Sequence, residues 1–350
     1  MLEKLEKTNI TYLDKGIHKL NNIEIDEDIR VVGQNNKNTI IDAGGEPLAI
    51  VNKDVEFELN HVKIINAVSD KGGAIHNKGH SVFKNVIFED NRSEGSSAKG
   101  GAIYNENCLI CTGCEFIKNT SENEGGAIYN DDIVKMTSTH FRHNISEENG
   151  GAIYNNDVMA IHTSTINYNI TNNLGGGLYN SSTGDVNIFL SSFVGNIALK
   201  ESGAIHSDNN AKIEYSRIID NEKIALSGKV NARYNWWGYN NGPNHRVNDG
   251  VSVEPWLVVD IDVTTLPGGE VLASGGLRKD NHGREHPLIM EMDNLGVCNN
   301  IAPCIYSKDA VNNEIYPHST ELFYPKKDIL TINYQLDKEL ITKKINIEGK

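Results

Sequence analysis

One hexapeptide recurs through the first part of the chain, and it limits the folds available. Gly-Gly-Ala-Ile-Tyr-Asn begins at Gly100, Gly125 and Gly150. Variants begin at Gly72, Gly175 and Ser202, so the successive spacings are 28, 25, 25, 25 and 27 residues. A second signal, an apolar residue with Asn three places later, keeps the same period. It falls at Phe88/Asn91, Phe116/Asn119, Phe141/Asn144, Ile166/Asn169, Phe193/Asn196 and Ile218/Asn221. Interlocked copies at one period imply a stacked array, in which each unit covers the apolar face of the next.

A period near 25 admits a helix pair, a leucine-rich repeat or a coil of strands. The runs between Gly-Gly pairs are short and β-rich, which argues against helices. A leucine ladder is absent. The 45 Asn outnumber Lys and Arg together at 33, and Gly adds 32, a composition suited to tight left-handed turns. The pattern therefore predicts a parallel β-helix with about three short strands per coil and coils ~4.8 Å apart.

Aligned repeats give columns. Ile75, Ile103, Ile128, Ile153, Leu178 and Ile205 form one, and Phe83, Cys111, Met136, Ile161 and Ile213 another. The Phe88-to-Ile218 column is the third, and Val86, Cys114, Thr139, Ser164, Ser191 and Ser216 make a small-residue column. All are expected to point inward. The Asn column is expected to bond along the stack, because a buried amide needs partners.

The paired Gly-Gly-Ala-Ile and Phe-x-x-Asn signals resemble repeats of the polymorphic outer membrane protein type. Asn235-Trp-Trp-Gly, then Asn241-Gly-Pro and Pro255-Trp-Leu-Val-Val, resemble adhesin-like surface proteins of methanogenic archaea. This resemblance covers about residues 10–260. It implies a right-handed, single-stranded parallel β-helix of the pectate-lyase-like class followed by an immunoglobulin-like β-sandwich. It also implies an extracellular or cell-surface location and a possible glycan or surface-protein partner.

Only Pro47 precedes residue 243, whereas the other seven prolines run from Pro243 onward, and Trp236, Trp237 and Trp256 cluster at that junction. The expected domains are a β-helix over 10–245, a linker and cap over 246–262, and a sandwich over 263–350. Trp236 and Trp237 are expected to close the end of the helix. Residues 257–264, 270–277, 328–336 and 340–347 read as strands, which fits the sandwich.

Charge and hydropathy exclude other classes. Net charge is −14, so no nucleic-acid footprint is expected. No run approaches the ~20 apolar residues of a membrane span. The charged start lacks the apolar core of a signal peptide, so no leader is expected in this sequence.

The spacing Cys108-x2-Cys111-x2-Cys114 suggests a metal site, but the columns place these residues beside apolar and small ones. They are expected to be core or turn thiols. Cys298 and Cys304 are candidates for a disulfide. His140, His143 and His162 fall in different columns and do not converge. No cofactor and no metal are expected. Polysaccharide lyases and hydrolases on β-helices need carboxylates with a base on one strand face. The column Ile87, Glu115, His140, Thr165, Ser192, Arg217 is mixed, so a non-enzymatic role is expected, with a carbohydrate-active enzyme as the alternative. The acids gather in turns instead, where a solvated rim or weak Ca²⁺ binding are both readings.

The remaining candidate is the column Tyr104, Tyr129, Tyr154 and Tyr179, ended by His76 and His206. If each preceding Ile or Leu points in, alternation turns each Tyr out. The expected result is an exposed aromatic strip, which either stacks on a sugar or partner or serves as a structural ladder.

Overall fold

The computed structural model describes residues 9–286, 304–312, 315–316, 320–326 and 328–347. All regular structure among them is β. The chain divides into two compact units. The first takes residues up to 213, with 218–231 and 245–252. The second takes 214–217, 232–244 and the described residues from 253 on.

The first unit is a parallel β-solenoid of about nine turns, as the repeat predicts. Each full coil contributes a three-residue strand such as Ile103–Asn105, a five-residue strand such as Cys108–Thr112, a three-residue strand such as Glu115–Ile117 and the pair Thr120–Ser121. Neighbouring coils pair in register: Ile103 with Ile128, Cys111 with Met136, Phe116 with Phe141. The expected columns are therefore real stacks. Phe88, Phe116 and Phe141 are fully buried, with ring centroids 4.9 and 4.7 Å apart and near-parallel planes. Stacked coils thus place like against like, and each repeat's apolar face is covered only by another repeat.

The corners use their residues differently from the composition argument. Each coil turns just before its ladder Asn, through a left-handed residue: Asp90, Lys118, His143, Tyr168, Gly195 and Asp220 have φ of 53–63°. The Asn itself is inside. Asn91, Asn119, Asn144, Asn169 and Asn196 each donate from Nδ2 to the Oδ1 of the next coil's Asn at 2.9–3.0 Å. Each next Oδ1 also accepts the backbone N–H of the preceding Asn at 3.0–3.1 Å. A left-handed non-glycine residue costs roughly 1–2 kcal/mol, and the bonded amide beside it holds the corner in place. Part of the Asn excess serves the interior, where the two ladders bury eleven amides.

A second ladder was not anticipated. Asn77, Asn105, Asn130 and Asn155 donate along the stack at 2.7–2.8 Å, and Asn180 ends it on Ser207 Oγ at 2.9 Å. These are the final residues of the Gly-Gly-Ala-Ile-Tyr-Asn motif. Alternation places them inward, two residues after the buried Ile.

The Gly-Gly pair has a steric cause. The first glycine is left-handed, with φ of +66° at Gly100 and +68° at Gly125. The second lies against backbone on two sides: a Cβ on Gly126 would meet the Ile145 carbonyl at 2.7 Å and also strike Gly151 O.

The second unit contains a three-stranded antiparallel sheet with Leu257–Thr265, Val271–Asp280 and Thr320–Phe323. A four-stranded sheet includes Cys304–Tyr306, Ile329–Leu336 and Glu339–Asn346. Small antiparallel sheets of this kind fit a small β-sandwich. Strand Leu257–Thr265 begins inside the segment expected to be linker, and 232–244 associates with this unit. The expected boundaries at 245 and 263 thus differ from the contact-defined ones. Trp236 is fully buried within the second unit, and its indole N–H donates to Asp337 Oδ2 at 2.7 Å. Arg217 pairs with the same carboxylate, Nε to Oδ2 at 2.9 Å. Cys298 lies outside the described residues, so its pairing with Cys304 does too.

Candidate functional site

The tyrosine column occupies one face of the longest sheet. Register aligns His76, Tyr104, Tyr129, Tyr154, Tyr179 and His206 on successive coils. The flanking Ile or Leu and Asn of each strand are fully buried and the ring side chains meet charged residues, as outward alternation requires.

The expectation of an exposed strip is corrected. Tyr104, Tyr129 and Tyr179 are only 4%, 5% and 9% exposed, and Tyr154 is half-buried. The rings cover one another. Tyr129 and Tyr154 stack at 4.6 Å with planes 5° apart, and Tyr154 and Tyr179 at 5.0 Å. His206 extends the stack on Tyr179 at 5.3 Å, whereas Tyr104 lies tilted by 58° against Tyr129 and by 44° against His76. Coils spaced at ~4.8 Å hold the rings of Tyr129, Tyr154 and Tyr179 near their own stacking distance, so the faces between these rings meet one another and are not open to a sugar.

Two polar columns enclose the rings. On the side preceding the Gly-Gly pair, Lys99 Nζ lies 4.2 Å from the Tyr129 centroid and 3.0 Å from its hydroxyl. Lys71 lies 5.0 Å from the Tyr104 centroid. On the other side, Tyr104 donates to Asp131 Oδ2 at 2.6 Å, and Tyr179 donates to Asp208. His206 Nε2 also lies 3.1 Å from Asp208 Oδ1. His76 Nε2 lies 3.2 Å from Glu106 Oε2, an ion-pair distance without good hydrogen-bond alignment.

The electrostatics follow from this enclosure. Burial, with nearby carboxylates, pushes all four phenols well above their ordinary range. Burial also lowers His76, against the pull of Glu106. Glu124 is raised, chiefly by burial and then by Glu148 and Asp131, although Lys99 opposes this. Asp208 is lowered: the Tyr179 and His206 hydrogen bonds outweigh its burial.

Sequence columns identified the rings but missed their partners. Asp131 follows Tyr129 by two residues, yet it accepts from Tyr104, one coil earlier. Lys99 precedes Tyr104 by five, yet it contacts Tyr129 at hydrogen-bonding distance. Only the offset between stacked turns reveals such pairs. The signal was present as a polar position two after each ring residue: Glu106, Asp131, Asn156, Ser181 and Asp208.

The other candidates are dispersed. His140 meets Thr165 Oγ1 at 2.9 Å, His143 stacks on Tyr168 and His162 on Phe189. Cys111 and Cys114 are fully buried, as the columns predict, and Cys108 is half-buried. Among the described residues, no group of three or more His, Cys, Asp and Glu is placed to hold a metal ion.

Comparison with known families agrees with the solenoid. The model for the Chlamydia polymorphic membrane protein repeat matches residues 85–106, 113–131 and 138–156. Each match spans most of one coil, from the corner before the Phe strand through the Tyr-Asn strand of the next motif. That description suggests a surface-exposed β-helix protein. No curated protein and no solved structure gives a significant match to the chain. Among the described residues, no helix is long and apolar enough to cross a membrane.

Proposed function

We propose that the chain is a non-enzymatic, adhesin-like surface protein whose β-helix presents a binding face to a glycan or protein partner. The observation that carries this reading is the repeat match over three consecutive coils. The finer readings belong here as well: a right-handed helix of the pectate-lyase-like class, an immunoglobulin-like second unit, and kinship with methanogen adhesin-like proteins. The carboxylates beside the ring column support binding over turnover, because Asp131, Asp208 and Glu106 are already engaged by Tyr104, Tyr179 and His76. If the tyrosines take part in binding, they do so through hydroxyls and ring edges.

One observation favours the enzymatic alternative. Glu124 is raised above the usual carboxylate range while Asp131 stands close enough to contribute to that shift, and paired carboxyls with separated pKa values are the raw material of glycoside hydrolysis. Two measurements decide. Protease treatment of intact producing cells should remove the protein from the surface. Incubation with acidic and neutral polysaccharides should release no new reducing or unsaturated ends. Release of ends that is abolished by Glu124→Gln would replace adhesion with catalysis.

A further inference from the structure

The chain carries Asn-x-Ser/Thr, with x not proline, at Asn9, Asn91, Asn119, Asn144, Asn169 and Asn180. This is the acceptor signature for asparagine-linked sugar, and the fold treats the six unequally. Asn91, Asn119, Asn144 and Asn169 are rungs of the first ladder and Asn180 ends the second; all five are fully buried. Each commits both hydrogens of its Nδ2. Asn91 donates to Ile64 O and Asn119 Oδ1, and Asn119 to Phe88 O and Asn144 Oδ1. Asn144 donates to Phe116 O and Asn169 Oδ1, and Asn180 to Gly184 O and Ser207 Oγ. A sugar on Nδ2 replaces one of those hydrogens. A modified rung would lose a bond and gain a ring inside a close-packed stack. The third motif position is closed as well at Ser93, Ser121, Ser146 and Thr171, all buried.

Asn9 differs on each count. It opens the first described coil, on strand Asn9–Leu13, and its side chain is exposed, as is that of Thr11 at the third motif position. Its Nδ2 donates to Glu27 Oε1 at 3.1 Å, an exposed bond that commits one hydrogen and leaves the other. The strand is extended, and among the described residues it pairs with one neighbour, Ile29–Gly33. Its second edge offers backbone groups that an enzyme can grip as an added strand.

We infer that Asn9 is the acceptor of an asparagine-linked glycan on the folded chain, and that the ladders close the other five motifs. The donor class is an oligosaccharide carried on a polyprenyl pyrophosphate. In the transfer, Asn9 Nδ2 forms a bond to C1 of the first sugar. The C1–O bond to the pyrophosphate breaks, and the polyprenyl pyrophosphate leaves with that electron pair. One Nδ2 proton passes to a carboxylate of the transferase. Because sugar on a rung would keep its coil from closing, transfer to this chain must follow folding of the solenoid. The inference goes beyond the adhesion reading and does not rest on it.

The test incubates the folded full chain with an oligosaccharyltransferase specific for Asn-x-Ser/Thr and its lipid-linked oligosaccharide. A synthetic peptide of residues 139–149, modified at Asn144 under the same conditions, proves that a ladder motif is competent once outside the fold. Intact mass and peptide mapping read the sites. The folded chain should gain one glycan, and Asn9 should hold at least about tenfold more of it than the other five sites together, because a rung is reached only through local opening of its coil. Asn9→Gln and Thr11→Ala should each abolish the gain. Both side chains are exposed, so the melting temperatures of these variants should match the wild type. A folded chain left unmodified while the peptide is modified would overturn the inference. So would comparable glycan on Asn144 or Asn169 of the folded chain, or undiminished modification of Asn9→Gln. Surface proteolysis reads the adhesion proposal separately, so either can fail while the other stands.

Discussion

Replacing Asn144 with Ala should be among the most damaging single changes in the solenoid. Its Nδ2 donates to Phe116 O at 3.0 Å and to Asn169 Oδ1 at 2.9 Å, and its Oδ1 accepts from Asn119 N and Nδ2, both at 3.0 Å. Alanine removes all four bonds at a fully buried position. Two neighbours keep another partner, since Asn169 Oδ1 still accepts Asn144 N–H and Asn119 Nδ2 still reaches Phe88 O. The Asn119 N–H loses its partner, while the Phe116 carbonyl lies in the paired ladder of Glu115–Ile117 and His140–Arg142. At roughly 1–3 kcal/mol for the stranded N–H and about 1 kcal/mol for the bonds lost by groups that keep another partner, the expected loss is about 2–4 kcal/mol. Asn123→Ala is the control: its exposed amide donates once, to Ser96 O at 3.1 Å, and should cost about 1 kcal/mol or less. Urea unfolding followed by far-ultraviolet circular dichroism reads both, and an unchanged m value licenses comparison of midpoints. Equal midpoints for the two variants would refute the ladder as a source of stability.

Three further outcomes are expected. Gly126→Ala should destabilise the solenoid by roughly 1–3 kcal/mol in the same assay, because the new methyl meets two backbone carbonyls that cannot rotate away. Asp337→Ala should lower the second unit's stability by about 3–5 kcal/mol, since it strands Arg217 and the Trp236 indole; an unchanged melt would remove that carboxylate from the account. Glu124→Gln tests the raised carboxyl through pH: the folded state holds that proton longer than the unfolded chain, so ionisation costs stability above the folded pKa. The substitution should raise the melting temperature at neutral pH, and the gain should vanish below about pH 4, where wild-type Glu124 is protonated in both states.

The solenoid was legible because its period repeats a physical requirement. Every inward column of the repeat, from Ile103 to Phe116 and Asn119, recurs at nearly fixed spacing, and spacing alone set the register. Burial of the tyrosines was not legible. Alternation assigns a side of the sheet, but exposure depends on what stacks above and beside a ring, here Lys99 and the next tyrosine. The second Asn ladder was visible in the motif itself, yet its residues adjoin acidic turns and read as turn chemistry. The shortened turn at Gly228, two steps to Val230 against four from Ser207 to Ala211, was the least legible feature, because it arises from two residues that are absent, one coil after the motif has degraded to Ser202-Gly-Ala-Ile-His-Ser.

The direction of the Asn ladders has its own consequence. In both, each side-chain amide donates to the amide oxygen of the following coil, so each rung offers the next a donor and the one before it an acceptor. A coil is therefore a part with matching upper and lower faces. Excising the 25-residue unit 126–150, or duplicating it, would join Gly125 to Gly151 or Gly150 to Gly126 and restore the same sequence frame at the junction. Length is then a quantity the lineage can vary without reworking the interior. A solenoid of this kind gains adjustable length by copying one 25-residue unit, while the shortened turn at Gly228 stays at the end of the stack.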